Sequence, residues 1–236
     1  MNTNMDFKRS LKKTNLEEIT KEMVKLDKDI NKVLTKIGRD SENVQYDSEN
    51  LTEKFLYFQY CSVAVQLKNI HTELNYLLSS VLVNESVQKK SNRQKKTNLE
   101  EITKGLIKLN KGIKRVLIKT GYDCDNIKYD NHKSTESPLF VEYRSVANQL
   151  ENIHMHLDYL LNPVIEEGCI SKDRNGRYIL PSGKGLMNGS KCEVLSEING
   201  TEEWIYTLIE KGKEDYYATA LGEGTSIAGL KVRLRI

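Results

Sequence analysis

The sequence predicts an α+β protein of several domains, with two tandem long helical hairpins expected to pack as an antiparallel four-helix bundle, followed by a small SH3-like antiparallel β-barrel. Three observations predict it. Thr14 to Val81 recurs without a gap as Thr97 to Val164, with roughly half the positions identical, which marks a tandem duplication. Inside each copy the apolar residues return at steps of three and four, the period of an amphipathic helix. Beyond Ile165 the period becomes two and Asn-Gly pairs punctuate the chain, the pattern of short antiparallel strands.

Residues 1–13 are a basic N-terminal tail. The first hairpin repeat follows over 14–83, and its first helix carries Leu16, Ile19, Met23, Leu26, Ile30, Val33 and Ile37 along one stripe. The second copy repeats the stripe as Leu99, Ile102, Leu106, Leu109, Ile113 and Val116, with Thr120 departing from it. Thr14 with Glu17 and Thr97 with Glu100 have capping-box spacing, each cap worth about 1 kcal/mol. Gly38 and Gly121 stand where a left-handed C-terminal cap is needed.

A second stripe in each copy runs Leu56, Tyr60, Val63, Leu67, Ile70, Leu74, Leu77, Val81 and Leu139, Tyr143, Val146, Leu150, Ile153, Leu157, Leu160, Val164. Ser137 and Pro138 suit the start of the last helix and Pro163 its end. The connections Arg39 to Asn50 and Tyr122 to Lys133 are long for a helical hairpin, so Tyr46 and Tyr129 are expected to order them. A lone hairpin leaves its stripe uncovered, and packing the two hairpins together buries both stripes, with an end-to-end arrangement or a hairpin-mediated dimer as the alternative. The linker 84–96, which holds Lys89, Lys90, Arg93, Lys95 and Lys96 against Glu85, joins them, and the second repeat occupies 97–164.

In the last domain, 165–236, Asn175-Gly176, Asn188-Gly189 and Asn199-Gly200 are type I′ hairpin signals. They separate strands expected at Cys169 to Lys172, Arg177 to Leu180, Cys192 to Glu197, Glu203 to Glu210, Asp215 to Thr219 and Leu230 to Ile236. Strands this short and numerous suggest closure into a barrel, which removes exposed edges.

The NGRY hairpin at Asn175 to Tyr178, the strand ending in Glu193-Val194-Leu195, the segment Glu203 to Glu210 around Trp204 and the ending Gly229 to Arg233 carry a resemblance. Together they resemble an uncharacterised C-terminal domain family of proteins from Firmicutes phages, plasmids and integrative elements, over about residues 165–236. The resemblance implies a mobile-element setting and brings no biochemical activity with it. That setting favours accessory and anti-defence proteins.

Charged residues make up 29% of the chain and the net charge is +3, too small to announce a nucleic-acid binder by itself. No run approaches the roughly 18 apolar residues of a membrane span, and the first residues lack the apolar core of a signal peptide, so no membrane partner and a cytoplasmic location are expected. Cys61, Cys124, Cys169 and Cys192 lie far apart with no C-x-x-C spacing, which argues for packed thiols rather than disulfides or zinc. Catalysis requires convergent groups, yet the chain holds only four histidines. His71 and His154 are equivalent positions flanking the helix stripes, while His154 and His156 point in different directions on one helix and do not chelate a metal together. Pro181 to Lys191 contains a Gly-Lys pair without the spacing of a phosphate loop. No catalytic residue, metal or cofactor is expected, and the chain reads as a non-enzyme.

Binding candidates lie in the last domain, beside the alternative that its aromatics fill the barrel core while its cations solvate an edge strand. In the terminal alternation Lys231, Arg233 and Arg235 share one face of a strand, and Trp204, Tyr206 and Tyr178 lie in the same domain. Cations beside aromatics form a surface able to grip an acidic protein or a phosphate backbone. With the linker cations Lys89, Lys90, Arg93, Lys95 and Lys96, they are the expected binding residues. The functional expectation is an inhibitor encoded by a mobile element that sterically blocks a host defence effector, such as a CRISPR nuclease or another nucleic-acid-bound protein. The alternative is a nucleic-acid-binding accessory protein of a phage or plasmid.

Overall fold

The structure, a computed structural model, describes residues 14–38, 41–81, 96–130, 132–133, 135–213 and 215–235. Four helices stand among them, α1 (Leu16–Ile37), α2 (Leu51–Val81), α3 (Leu99–Thr120) and α4 (Glu136–Leu160). Eleven strands accompany them, of which β1 (Thr14–Asn15), β2 (Val44–Gln45), β3 (Thr97–Asn98) and β4 (Ile127–Lys128) are two residues each. The chain falls into two compact units, Met1–Gln45 with Gln59–Asp158, and Tyr46–Phe58 with Tyr159–Ile236.

In the first unit the expected stripes form the core. Every apolar residue of the α1 and α3 stripes is buried, and so are Tyr60 through Leu77 of the α2 stripe and Tyr143 through Leu157 of the α4 stripe. Thr120, the polar exception, is also buried and donates to Leu117 O at 3.1 Å. Each helix is bonded to the other three. His71 of α2 meets Asp27 of α1 and His154 of α4 meets Asn110 of α3. Tyr143 of α4 meets Thr20 of α1 and Tyr60 of α2 meets Thr103 of α3. Lys119 of α3 reaches Glu22 of α1, and Gln149 of α4 reaches Glu73 of α2.

The helix caps lie one residue later than the capping-box spacing predicts. Asn15 and Asn98 are the caps, their side chains accepting from Glu18 N and Glu101 N at 2.9 Å. Thr14 and Thr97 are occupied by reciprocal parallel pairings instead, Thr14 with Ile127 and Thr97 with Val44. Each copy thus lends the two residues before its first helix to the loop of the other. At the far ends Gly121 takes the expected left-handed cap, with φ 81° and ψ 26°, whereas Gly38 has φ 86° and ψ 174°. Gly38 still requires glycine, because a Cβ there would lie 2.7 Å from Asn43 Nδ2. Tyr129 orders the second connection by stacking on Phe140 at 4.1 Å.

The second unit is built on a five-stranded antiparallel sheet. Its strands are β5 (Val164–Cys169), β8 (Ser190–Ile198), β9 (Thr201–Lys211), β10 (Tyr216–Ala218) and β11 (Lys231–Arg235), in the order β10-β9-β8-β11-β5. This corrects the expected barrel. β10 and β5 occupy opposite edges and are not paired, so the sheet is open. The short pair β6 (Ser171–Lys172) and β7 (Tyr178–Ile179) forms a separate sheet rather than a closing strand. It carries Tyr178 into a core with Leu180, Cys192, Val194, Ile209 and Val232. The open edges are protected by other means, since β10 is three residues long and β5 bears Glu166 and Glu167.

Of the three Asn-Gly signals, only Asn199-Gly200 has both residues at positive φ, 53° and 79°. The Asn175-Gly176 turn is shaped instead by Asp173, whose carboxylate accepts from the backbone of Asn175 and Arg177 at 2.8 and 2.9 Å. Tyr46 stacks on Tyr57 at 4.1 Å in this unit, repeating the Tyr129 arrangement. No helix among the described residues is long and apolar enough to cross a membrane.

Candidate functional site

The terminal alternation brings Arg233 and Arg235 to a common carboxylate, but their face is not a solvent face. Arg233 is 2% exposed and stands opposite Glu193, itself 0% exposed, in the register of β11 on β8. Glu193 pairs with Arg233 through one carboxylate oxygen and with Arg235 Nε through the other at 2.6 Å. Arg233 Nη1 donates to Thr52 Oγ1 at 3.1 Å, and Arg235 Nη1 donates to Asn162 O at 2.8 Å. The guanidinium carbon of Arg233 lies 4.3 Å from the Trp204 ring centroid and 5.1 Å from that of Phe55.

These contacts correct the expectation of an exposed basic stripe. The start of α2 and the end of α4 cover that face of the sheet, and a planar guanidinium tolerates the cover because it can stack and bond in several directions at once. Burial of three charges is sustained by their mutual pairing and hydrogen bonds. Arg233 Nη2 and Tyr159 OH are buried without a hydrogen-bond partner among the described residues. Lys231 alone remains at the surface, 2.7 Å from Glu167 and 5.9 Å from the Trp204 ring centroid.

The aromatic candidates are likewise packed. Trp204 and Tyr178 are buried, and Tyr206 meets the edge of Tyr159 at 5.0 Å. Tyr178 OH donates to Asp215 at 2.6 Å, and Lys172 reaches the same carboxylate at 2.8 Å. Those two bonds, with the Tyr216 backbone N–H, hold the Asp215 carboxyl down at about 2. Lys96 is exposed beside β3, whereas Lys89, Lys90, Arg93 and Lys95 lie outside the described residues.

Three of the four histidines serve as helix-to-helix links. His71 Nδ1 is 2.6 Å from Asp27, His154 Nδ1 is 2.7 Å from Asn110 Oδ1, and His156 Nε2 is 3.0 Å from Gln59 Oε1. Burial is the main influence on His154 and pushes its pKa below the ordinary histidine value. His71 and His154 therefore mark the seams within the hairpins. Among the described residues no group of His, Cys, Asp and Glu is arranged to hold a metal ion.

The feature that sequence reasoning missed lies on the outward side of α2 and α4. From Phe55 to Val81 the formal charges of α2 are Lys68 and Glu73 alone. Opposite its buried stripe, α2 presents Ser62, Val65, Asn69, Thr72 and Tyr76 to solvent, and α4 presents Val141, Ser145, Asn148, Asn152 and Met155. Both rows step by three and four and carry no charge. Tyr76 is 77% exposed, Val65 62% and Val141 60%.

The Glu73–Gln149 and Gln59–His156 bonds join α2 to α4 along the border between buried and exposed rows. The two uncharged rows consequently flank this border, which itself carries the exposed carboxylate of Glu73. The available signal was a second three-four repeat, offset from the first and marked by missing charge rather than by hydrophobicity. Comparisons with known proteins add no relative, since no family model, curated protein or solved structure matches the chain.

Proposed function

We propose that the chain is a non-enzymatic binding protein that acts by occupying a partner protein's surface, with the uncharged outer rows of α2 and α4 as its contact. The observation that carries this reading is the exposure of Val65, Tyr76 and Val141 on rows that carry no formal charge. Side chains of this kind gain by leaving water, and depletion of charge is characteristic of the centre of protein interfaces. In this reading the two hairpins form one antiparallel four-helix bundle with pseudo-two-fold symmetry, a scaffold that holds the face in shape before the partner arrives. Such preorganisation lowers the entropic cost of binding.

The sharper form is a cytoplasmic inhibitor from a mobile genetic element that sterically blocks a host defence effector, a CRISPR nuclease being one example. It rests on the resemblance of residues 165–236 to the phage, plasmid and integrative-element family. Capture of partners from host lysate by the tagged full chain, with and without nuclease treatment, followed by mass spectrometry, tests it. The expected result is a stoichiometric protein partner that survives nuclease treatment. Recovery of nucleic acid alone, or of proteins lost on digestion, would overturn the reading in favour of an accessory nucleic-acid binder.

A further inference from the structure

We infer that α3 carries a separate, sequence-independent site for the phosphate backbone of duplex nucleic acid, centred on Lys111, Lys114 and Arg115. The inference stands apart from the α2 and α4 surface and uses none of its residues. Its first support is the divergence of the two copies on an otherwise retained helix. Glu22, Asp27 and Asp29 of α1 are matched by Gly105, Asn110 and Gly112 on α3, and Asn31 is matched by Lys114. The core stripe is preserved while acids disappear and a cation is added, so α3 holds no Asp or Glu after Glu101.

The second support is how the cations are partnered. On α1, Lys21, Lys25 and Lys32 pair with acids three or four residues away, while Lys28 and Lys36 have no acidic partner among the described residues. On α3, Lys104 pairs with Glu100 and Lys119 with Glu22, but Lys111, Lys114 and Arg115 are exposed and have no acidic partner among the described residues. With Ile118 and Lys119 they line a concavity of about 380 Å³. Like charges gathered this closely repel one another until an anion is present.

The shape of the row selects the anion. At about 1.5 Å rise per residue, Lys104 to Lys119 spans about 22 Å of straight helix, a length suited to a rod that carries one charge per about 1.7 Å. α3 contains no aromatic residue, so it offers no stacking platform for bases and reads the backbone alone. A duplex fits those terms better than a single strand.

Binding of a short fluorescein-labelled DNA duplex of arbitrary sequence to the full chain, followed by anisotropy across a salt series, tests the assignment. Three variants are compared with the original: K111Q/K114Q/R115Q, the charge-matched control K184Q/K191Q/K213Q in exposed positions elsewhere, and the charge-retaining K111R/K114R. Three phosphate contacts correspond to about 40-fold of affinity lost between about 50 and 200 mM salt. The α3 glutamine variant is expected to bind weakly and to lack about that much salt dependence, while the control and the arginine variant behave as the original. Equal weakening by the control would overturn the site, as would an unchanged salt slope in the α3 variant or the absence of duplex binding. Loss of binding to phosphatidylserine-containing vesicles, with the duplex unbound, would also overturn it and assign the face to a membrane.

Discussion

The hydroxyls of Thr20 and Tyr143 lie 2.6 Å apart in a buried link between α1 and α4, and Tyr60 with Thr103 repeats the link at 2.7 Å between α2 and α3. Each threonine already donates its proton to a carbonyl of its own helix, Leu16 or Leu99, at 2.7 Å. The tyrosines are therefore the donors of the links. Burial pushes the Tyr143 hydroxyl pKa up, so this donor stays protonated. Tyr143→Phe should cost about 1 kcal/mol, the usual net value of such a bond. Urea unfolding that shows the loss with an unchanged slope would bear this out, and an unchanged midpoint would refute it.

Glu193→Gln should be far more damaging. It leaves the Arg233 and Arg235 guanidiniums buried without a countercharge, and breaking a buried pair by removing one partner costs about 3 to 5 kcal/mol. Trp204 is the single tryptophan and stacks on Arg233, so its fluorescence reports this region directly. The denaturation midpoint followed by that signal should fall steeply. A shift as small as that of an exposed Glu→Gln change would show that the cluster contributes little.

Thiol reactivity should divide sharply. Burial pushes the Cys192 thiol up to about 12 and the Cys124 thiol up to about 11, while Cys169 is exposed. Thiolate is the reactive species, and a free thiol ionises at about 8.5. Iodoacetamide at mildly alkaline pH should modify Cys169 in the folded chain, with Cys192 and Cys124 reacting only after unfolding. Peptide mapping by mass spectrometry reads the order, and early labelling of Cys192 would contradict the burial assigned to it.

The lowered pKa of His154 has a signed consequence for stability. Its folded value lies below the unfolded reference of about 6.5, with burial the largest cause. The folded chain consequently binds fewer protons than the unfolded chain in this window. The stability associated with His154 is complete above about pH 6.5 and is lost as the pH falls towards its folded pKa. Thermal melts of the original chain and of His154→Gln, recorded across that window, should converge as the pH drops. A constant difference would show that His154 titrates alike in both states.

The helices were legible because burial repeats every three to four residues, and Ile19, Met23, Leu26 and Ile30 could occupy only one face. The pairing of Thr14 with Ile127 was not legible, because two-residue pairings between distant segments leave no periodic trace. Alternation assigned Lys231, Arg233 and Arg235 to a common face but could not say what covers it. Phe55, Thr52 and Asn162, which provide or bond to that cover, lie far away in sequence. Glu193 alternates like any surface carboxylate, so its burial emerges only once both arginines stand beside it. The open sheet, with β6 and β7 paired apart from it, is an outcome that turn signals alone do not reveal.

The most direct test of the central claim is lysate capture, after nuclease treatment, with the original chain and with Val65→Glu/Val141→Glu at matched folded stability. Both substitutions fall on exposed positions of the uncharged rows. The account predicts a stoichiometric protein partner held by the original chain and lost by the variant. Equal recovery by both proteins, or recovery of no protein by the original chain, would contradict it.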